Sequence, residues 1–223
     1  MFHPQKENFF YTYPWRKHKI SIKQKNHSLS GWFLRKKTGP IIVYFGGNAE
    51  NVSLCLERHE QFSEVSLYLM NYPGYNENDG NPSEKTVLEN ALATYDYLID
   101  EYGLSPESIY LVGRSIGSSV AAFIAAHRDI KGLILITPFD NLFNVAKSKT
   151  SFLFRPFLWM VRNNFNTLKY LEKVNVRMMA IFAGKDEVIS QSSTDNVSRF
   201  LTGRASINAV SYTHLTLPTT PYV

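Results

Sequence analysis

Gly113-Arg114-Ser115-Ile116-Gly117 lies between a short apolar run, Ile109–Val112, and a stretch of small residues, Ser118–Ala122. The pentapeptide matches the pattern G-x-S-x-G, in which a serine occupies a sharp turn between a strand and a helix. A Cβ on either glycine would crowd the neighbouring strand and helix. Because strand-like and helix-like sequences flank the motif, we favour a nucleophilic Ser115 over a chance turn rich in glycine and serine.

Backbone N–H groups that could stabilise an oxyanion are predicted at two places. The amide of Ile116 would lie at the N-terminus of the helix after Ser115, where negative charge is stabilised. Gly46-Gly47-Asn48 follows the apolar run Ile41–Phe45, which is typical of a strand buried on both faces. The two glycines would let the backbone turn tightly and direct the Asn48 amide toward the same anion. An ordinary turn remains the alternative, whereas the phosphate-loop patterns do not occur in the sequence.

An acidic partner for the serine is predicted at Asp186. It follows the apolar run Met178–Phe182 within Ala183–Ile189. Since the carboxyl ends of parallel strands meet at one edge of a sheet, Asp186 and Ser115 would lie on the same edge, and the order Ser before Asp fits the motif. The alternative is an aspartate that only stabilises a turn, with Glu187 as its solvated neighbour.

Apolar runs of strand type alternate with helical segments along the chain. One helix is predicted to open at Asn81-Pro82-Ser83-Glu84, with Asn81 as its cap, and to end at Gly103. The alternation predicts an α/β fold with a mostly parallel, doubly wound sheet covered on both sides. The predicted strands are residues 18–25, 29–36, 41–45, 65–70, 109–112, 133–136, 178–182 and 207–210.

The composition indicates one soluble domain. The chain has 223 residues, of which 44% are hydrophobic and 19% charged. The single cysteine, Cys55, excludes an internal disulfide framework, and the six histidines are scattered. No apolar run approaches the roughly twenty residues of a membrane span. We expect a cytoplasmic protein that needs no cofactor and no metal.

Positive charge is concentrated at the start of the chain. Residues 1–38 contain nine Lys or Arg against Glu7 alone, a local charge of +8 in a chain of net charge +5. Apolar residues alternate with these charges as they do on solvated strand faces. Contact with an anionic membrane surface is the minor alternative, and nucleic-acid binding is less favoured because no basic groove-entering helix is present.

Together these motifs resemble the alpha/beta hydrolases of the single-domain branch, called serine aminopeptidase-like or dienelactone-hydrolase-like. The resemblance covers about residues 20–210 and is carried by Phe45–Asn51, Asn71–Tyr75, Pro82–Glu84, the Ser115 pentapeptide and Gly184–Asp186. It implies an alpha/beta-hydrolase fold and a serine hydrolase that cleaves an ester, thioester or amide of a small acyl substrate. Many relatives have His-Gly where this chain has Gly46-Gly47, a change that need not affect a backbone donor.

The resemblance places the catalytic base in a loop after the last strand, where His214 is the one available histidine. It lies 28 residues after Asp186. The surrounding residues lack the usual Gly and Asn, and 211–223 resembles a foreign end more than the closing helix of the fold. We therefore expect a hydrolase domain over 1–210, an atypical tail over 211–223, a poorly held base and weak activity. The alternative function is a non-catalytic hydrolase-like binding or scaffold protein, at a membrane surface.

Residues 139–172 are rich in aromatic side chains. Because this segment follows a strand on the predicted catalytic edge, we expect a short cap over Ser115 that lines an apolar acyl pocket. Ordinary packing of helices is the alternative for about half of these side chains. They are Phe139, Phe143, Phe152, Phe154, Phe157, Trp159 and Phe165.

Overall fold

The computed structural model describes residues 2–6, 8–23, 28–62, 64–149, 163–184, 186 and 188–210. Its centre is an eight-stranded sheet with the strand order β1-β2-β4-β3-β5-β6-β7-β8. Strands β1, β2 and β4 pair in antiparallel fashion, and the strands from β4 through β3 to β8 are parallel. The predicted mostly parallel α/β sheet is therefore confirmed. The strands are β1 Lys19–Lys23, β2 Ser28–Leu34, β3 Ile41–Phe45, β4 Ser66–Met70, β5 Ile109–Arg114, β6 Gly132–Ile136, β7 Arg177–Ala183 and β8 Ala205–Val210.

Helices cover the sheet and connect its strands. The α-helices are α1 Phe9–Thr12, α2 Glu84–Tyr102, α3 Ile116–Ala125, α4 Leu142–Lys149, α5 Thr167–Leu171 and α6 Gln191–Leu201. Short 3-10 helices occupy Tyr13–His18, Val52–Cys55, Glu57–Phe62 and Pro106–Ser108. Helix α3 packs against β5, α2 and α5, so it lies at the centre of the main core. Within the described residues, none of the helices combines the length and the hydropathy that crossing a bilayer requires.

The start of α2 differs from the prediction. Ser83, not Asn81, is the N-cap: its hydroxyl accepts from the Thr86 N–H at 3.1 Å, and the Ser83 N–H donates to the Thr86 hydroxyl at 2.9 Å. Glu84 is consequently the first helical residue. Its carboxylate accepts the backbone N–H groups of Asn164 at 2.8 Å and Phe165 at 3.0 Å. The cap therefore lies two residues later than predicted, and the reciprocal Ser83–Thr86 bonds form the capping box.

The second face of the sheet is covered by a smaller core. Trp15, in the 3-10 helix Tyr13–His18, packs on this core. The same face of the sheet is less well covered near β7, where the Met179 side chain is 37% exposed. The buried members of this second core are Trp32, Leu34, Val52, Leu56 and Leu69.

Buried tyrosines make the fold sensitive to alkaline pH. Burial, helped by nearby carboxylates, raises the pKa of Tyr95 to about 12 and holds the pKa values of Tyr44 and Tyr72 well above the usual range. The unfolded chain loses these protons at about pH 10, before the folded chain does, so the free energy of unfolding falls as the pH rises above 10. We expect cooperative unfolding between about pH 10 and 12.

Circular dichroism and tyrosinate absorbance recorded on the same sample test this expectation. The part of the tyrosinate signal that comes from the buried phenols should appear as the circular dichroism is lost, since these phenols can ionise only as the fold opens. Full ionisation of the 13 tyrosines near pH 10 with native circular dichroism would contradict it.

Candidate active site

Ser115 lies in a strained turn between β5 and α3. Its backbone has φ 52° and ψ −117°, a conformation that residues with a side chain rarely adopt. The Ser115 N–H donates to the Ile136 carbonyl at the end of β6 (2.9 Å), and its carbonyl accepts the Ser118 N–H (2.9 Å). Neighbouring elements on both sides therefore hold the turn, and the half-buried serine side chain lies at the carboxyl edge of the sheet.

Both glycines of the motif are required by close backbone contacts. A Cβ on Gly113 would lie 2.1 Å from the Gly117 carbonyl oxygen, and a Cβ on Gly117 would lie 2.0 Å from the carbonyl oxygen of Phe45. This agrees with the reason inferred from the sequence. The N-terminus of α3 consequently lies directly against the end of β3. Ile116 is the first residue of that helix, a position whose N–H has no acceptor within the helix.

The loop after β3 is adjacent to Ser115. A Cβ placed on Gly47 would lie 3.8 Å from the Ser115 Cβ. The Asn48 carbonyl accepts the Tyr75 hydroxyl, and the Asn48 Oδ1 accepts that hydroxyl at 3.1 Å and the His3 N–H at 3.3 Å. Asn48 is thus held from the loop after β4 and from the first residues of the chain. The structure brings its loop to Ser115, while its role as an oxyanion donor stays a prediction.

A buried ion pair that the sequence reasoning did not find lies next to the nucleophile. The Glu50 carboxylate accepts the Gly47 N–H at 2.8 Å, the Tyr44 hydroxyl at 2.6 Å and the Arg114 Nη1 at 3.2 Å. The Glu50 and Arg114 side chains are only 6% and 19% exposed. Arg114 immediately precedes Ser115, so this pair ties the loop after β3 to the serine turn. The sequence contained one indication of this pair: Glu50 follows Gly46-Gly47, Arg114 lies in the Ser115 pentapeptide, and the two side chains carry opposite charges.

Asp186 follows β7 and stabilises its own turn. Its Oδ1 accepts the N–H groups of Val188 and Ile189, each at 2.8 Å. Asp186 therefore does stabilise a turn, which was the alternative to a catalytic role. The two roles are compatible, because both of these hydrogen bonds use the same carboxylate oxygen, Oδ1. Strand β6 separates β5 from β7, and strands are spaced roughly 4.8 Å apart, so the ends that carry Ser115 and Asp186 lie about 10 Å apart. An imidazole between them would span most of this gap.

The end of β8 lies beside the Asp186 loop. The Gly184 N–H donates to the Val210 carbonyl at 2.7 Å. His214 belongs to residues 211–223, which lie outside the described residues, so its position stays a prediction. His3 is the histidine whose backbone contacts the Asn48 loop, a proximity that the sequence reasoning missed because it depends on tertiary contacts of the first residues.

Asp140, in the loop after β6, is a second carboxylate close to this edge of the sheet. It is 1% exposed and accepts hydrogen bonds from Ser193 Oγ (2.6 Å), Asn144 Nδ2 (2.7 Å) and Asn196 Nδ2 (2.9 Å). Burial opposes its ionisation, but these donors outweigh burial and hold the pKa of Asp140 below its usual value. Because its oxygens are occupied in anchoring α4 and α6, we retain Asp186 as the candidate acid.

The structure places two of the aromatic residues predicted for a cap in the main core. Phe139 and Phe165 are 2% and 0% exposed, and Ser119 of α3 donates to the Phe165 carbonyl at 3.3 Å. Phe143 is 38% exposed. The four others, Phe152, Phe154, Phe157 and Trp159, lie outside the described residues. A cap over Ser115 therefore stays a prediction.

Comparison with known proteins supports the fold. No protein-family model matches the chain. It is 25% identical over 179 residues to an uncharacterised protein of Mycobacterium tuberculosis, covering 78% of this chain and 63% of that protein. It is also 22% identical over 205 residues to the alpha/beta hydrolase domain-containing protein WAV2 of Arabidopsis thaliana, covering 83% of this chain and 65% of that protein. The chain thus spans about 63–65% of the length of these curated relatives.

Solved structures resemble the chain over nearly its whole length. An alpha-beta hydrolase of Vibrio vulnificus superposes with a TM-score of 0.75 at 17% identity, covering 96% of this chain and 91% of that one. The esterase Pf2001 of Pyrococcus furiosus gives a TM-score of 0.74 at 13% identity with the same coverage. Est1E of Butyrivibrio proteoclasticus, solved with ferulic acid bound, gives 0.66 at 15% identity, covering 86% and 88%. The strand order and these superpositions agree: the chain has the alpha/beta-hydrolase fold.

Proposed function

We propose that the protein is a serine hydrolase that cleaves an acyl ester, thioester or amide through an acyl-enzyme intermediate. The observation that carries this proposal is the strained Ser115 turn between β5 and α3, packed against the loop after β3. Strain of this kind persists only where the surrounding structure enforces it, and it is typical of functional sites. A turn that served only to connect β5 to α3 would not require it.

The proposed reaction uses groups at the carboxyl edge of the sheet. The Ser115 Oγ attacks the acyl carbon while a histidine, for which His214 is our candidate, takes the hydroxyl proton. Asp186 orients that histidine, and the amides of Ile116 and Asn48 stabilise the oxyanion. The histidine then returns the proton to the leaving group, and water attacks the acyl-enzyme by the same route to release the acid and restore Ser115.

Esters and thioesters are the favoured substrate class. The similar structures include a protein named as an esterase and another solved with ferulic acid bound. These are properties of those proteins, and they favour a small acyl substrate over a peptide for this chain. No step of the proposed reaction requires a cofactor.

A fluorophosphonate probe tests the proposal directly, because only an activated serine is phosphonylated quickly. We expect the wild-type chain to be labelled, at a rate reduced by the poorly held base, and Ser115→Ala not to be labelled. Ser148→Ala is the matched control, since Ser148 is an exposed serine whose hydroxyl donates to the Val145 carbonyl within α4. Absence of labelling in folded wild-type protein would favour the non-catalytic binding or scaffold alternative.

A further inference from the structure

The segment that precedes β1 presents an exposed aromatic cluster. Phe10 is 89% exposed, Phe9 65% and Tyr13 48%. The Phe9 ring centroid lies 6.1 Å from that of Phe10 and 5.5 Å from that of Tyr13. Three neighbouring aromatic side chains in contact with solvent form an apolar patch, and such patches mark interaction sites.

The backbone beneath this cluster is held in place by specific contacts. The Asn8 side chain caps α1 by accepting the N–H groups of Phe10 and Tyr11. The Tyr11 hydroxyl donates to the Leu54 carbonyl at 3.4 Å, and Trp15 packs on the second core. The aromatic rings are therefore presented to solvent from an anchored segment.

A basic cavity adjoins the cluster through the 3-10 helix Tyr13–His18. Its volume is about 230 Å³, smaller than a pocket for a drug-sized molecule and suited to a small polar group. Burial lowers the pKa of His18, and the nearby Lys17 and Lys36 add to this effect. The cavity is lined by Trp15, His18, Leu34, Arg35, Lys36 and His59. The Arg35 guanidinium donates to the Tyr102 carbonyl at 3.2 Å, so Lys36 and the neighbouring Lys17 are the cations that we assign to a headgroup.

The charges around the cluster are mainly positive. The Arg16 guanidinium lies 4.1 Å from the Tyr13 ring centroid, and Arg16, Lys17 and Lys6 are exposed. Negative groups offset part of this charge: Glu57 contacts Tyr11, and Glu77 pairs with Lys19 at 2.7 Å. The local charge of +8 over residues 1–38, which already includes Glu7, is therefore only partly offset.

We propose that the aromatic cluster and the basic cavity together form a binding surface for anionic phospholipid membranes. The aromatic rings enter the boundary between headgroups and acyl chains, and the cavity receives a phosphate headgroup. A membrane surface of this kind has an anionic headgroup layer, which attracts cationic side chains, and an apolar layer beneath it, which aromatic rings can enter. The exposed rings and the adjacent cationic side chains fit these two layers, whereas a neutral protein partner would leave the cationic side chains without an opposite charge.

Membrane docking would also place lipid close to the candidate active site. The same N-terminal segment contacts the Asn48 loop through the His3 N–H and the Tyr75–Asn76 turn through the Gln5 carbonyl, which accepts the Asn76 N–H at 2.8 Å. This step rests on the proposed serine hydrolase, for which acyl esters of membrane lipids would then be the substrate class. Membrane binding itself does not depend on catalysis.

Co-sedimentation with vesicles tests the binding surface. We expect wild-type protein to bind phosphatidylcholine vesicles that contain phosphatidylglycerol, and to bind pure phosphatidylcholine vesicles weakly. The double variant Phe9→Ser/Phe10→Ser should reduce binding by roughly tenfold or more, because two exposed anchors are lost without disturbing the core. Ile207→Ser, at an exposed apolar side chain on β8, is the matched control and should bind as the wild type does.

A second pair of variants tests the charge component. Lys17→Gln/Lys36→Gln should weaken binding to the anionic vesicles and reduce its sensitivity to salt, whereas Lys169→Gln, an exposed lysine on α5, should not.

Three outcomes would overturn the proposal: no binding to anionic vesicles, equal binding to neutral ones, or a dimer that only the phenylalanine double variant dissociates. The last would identify a second copy of the chain as the occupant. Vesicle binding is measured without turnover, so a protein that fails to bind vesicles could still be a serine hydrolase. Likewise, a protein that the fluorophosphonate probe does not label could still bind membranes.

Discussion

Where the catalytic base is well held, Ser115→Ala is expected to lower the rate of simple ester hydrolysis by roughly three orders of magnitude or more, leaving only substrate binding and the oxyanion donors to assist water. The loss should appear in kcat, since the hydroxyl forms its new bond only during the reaction. Stability should change little. The hydrogen bonds of Ser115 to Ile136 and Ser118 use its backbone, so alanine keeps both. The positive φ at this position strains alanine and serine alike.

Initial rates with nitrophenyl esters of increasing acyl length, measured beside thermal unfolding, check this expectation. Ser118→Ala is an informative companion, because the Ser118 hydroxyl donates to the Gly113 carbonyl at 2.8 Å inside the same turn without being a nucleophile. We expect that variant to lose stability more than chemistry. Wild-type turnover by Ser115→Ala with an intact fold would remove Ser115 from the mechanism.

The parts of the fold that the sequence predicted well are those set by local pattern. Ile41–Phe45 was predicted with its observed bounds because a continuous apolar run fits a strand buried on both faces. The predicted cap of α2 was wrong: Asn81 and Ser83 both suit an N-cap, and Thr86 pairs with Ser83. Glu84, the partner expected for Asn81, binds residues about 80 positions later instead.

The same distinction applies to the candidate site. The Ser115 turn is specified by its two flanking glycines, so five consecutive residues were enough to predict it. The pairing of Glu50 with Arg114 joins residues 64 positions apart and exists only because β3 and β5 are neighbours in the sheet. Residue spacing alone carries no signal for such a contact.

Glu50→Gln is expected to have the second-largest effect. It removes the charge that balances the largely buried Arg114 guanidinium, and it replaces a charged acceptor of the Gly47 N–H with a weaker one. Breaking a buried ion pair by removing one partner costs about 3–5 kcal/mol, and we expect about 3 kcal/mol because Arg114 keeps some contact with solvent. Since Gly47 lies against Ser115, we also expect kcat to fall by roughly tenfold to a hundredfold with a smaller change in KM.

Denaturant unfolding and steady-state kinetics, both well below the unfolding temperature, separate the two effects. Asp96→Asn is the matched control. It breaks the Asp96–Arg128 ion pair, in which Arg128 Nε lies 2.6 Å from Asp96 Oδ1. Both side chains are exposed, Asp96 to 42% and Arg128 to 38%. Exposed pairs contribute about 1 kcal/mol or less, so this variant should keep its activity and nearly all of its stability. Equal behaviour of Glu50→Gln and Asp96→Asn would show that burial beside the serine turn gives the Glu50 pair no special role.

A double-mutant cycle shows whether Glu50 acts through Arg114. Arg114→Gln leaves the Glu50 carboxylate buried with only the Gly47 N–H and the Tyr44 hydroxyl, so it should destabilise the chain at least as much as Glu50→Gln does. Combining the two substitutions removes both charges, and the unpaired buried charge that dominates each single variant disappears. We therefore expect the double variant to be more stable than the sum of the two losses predicts, by roughly 1–3 kcal/mol, the range observed for residues in direct contact. Losses that simply add would mean that Glu50 stabilises the loop after β3 by its bonds to Gly47 and Tyr44 alone, and that the serine turn is positioned without it.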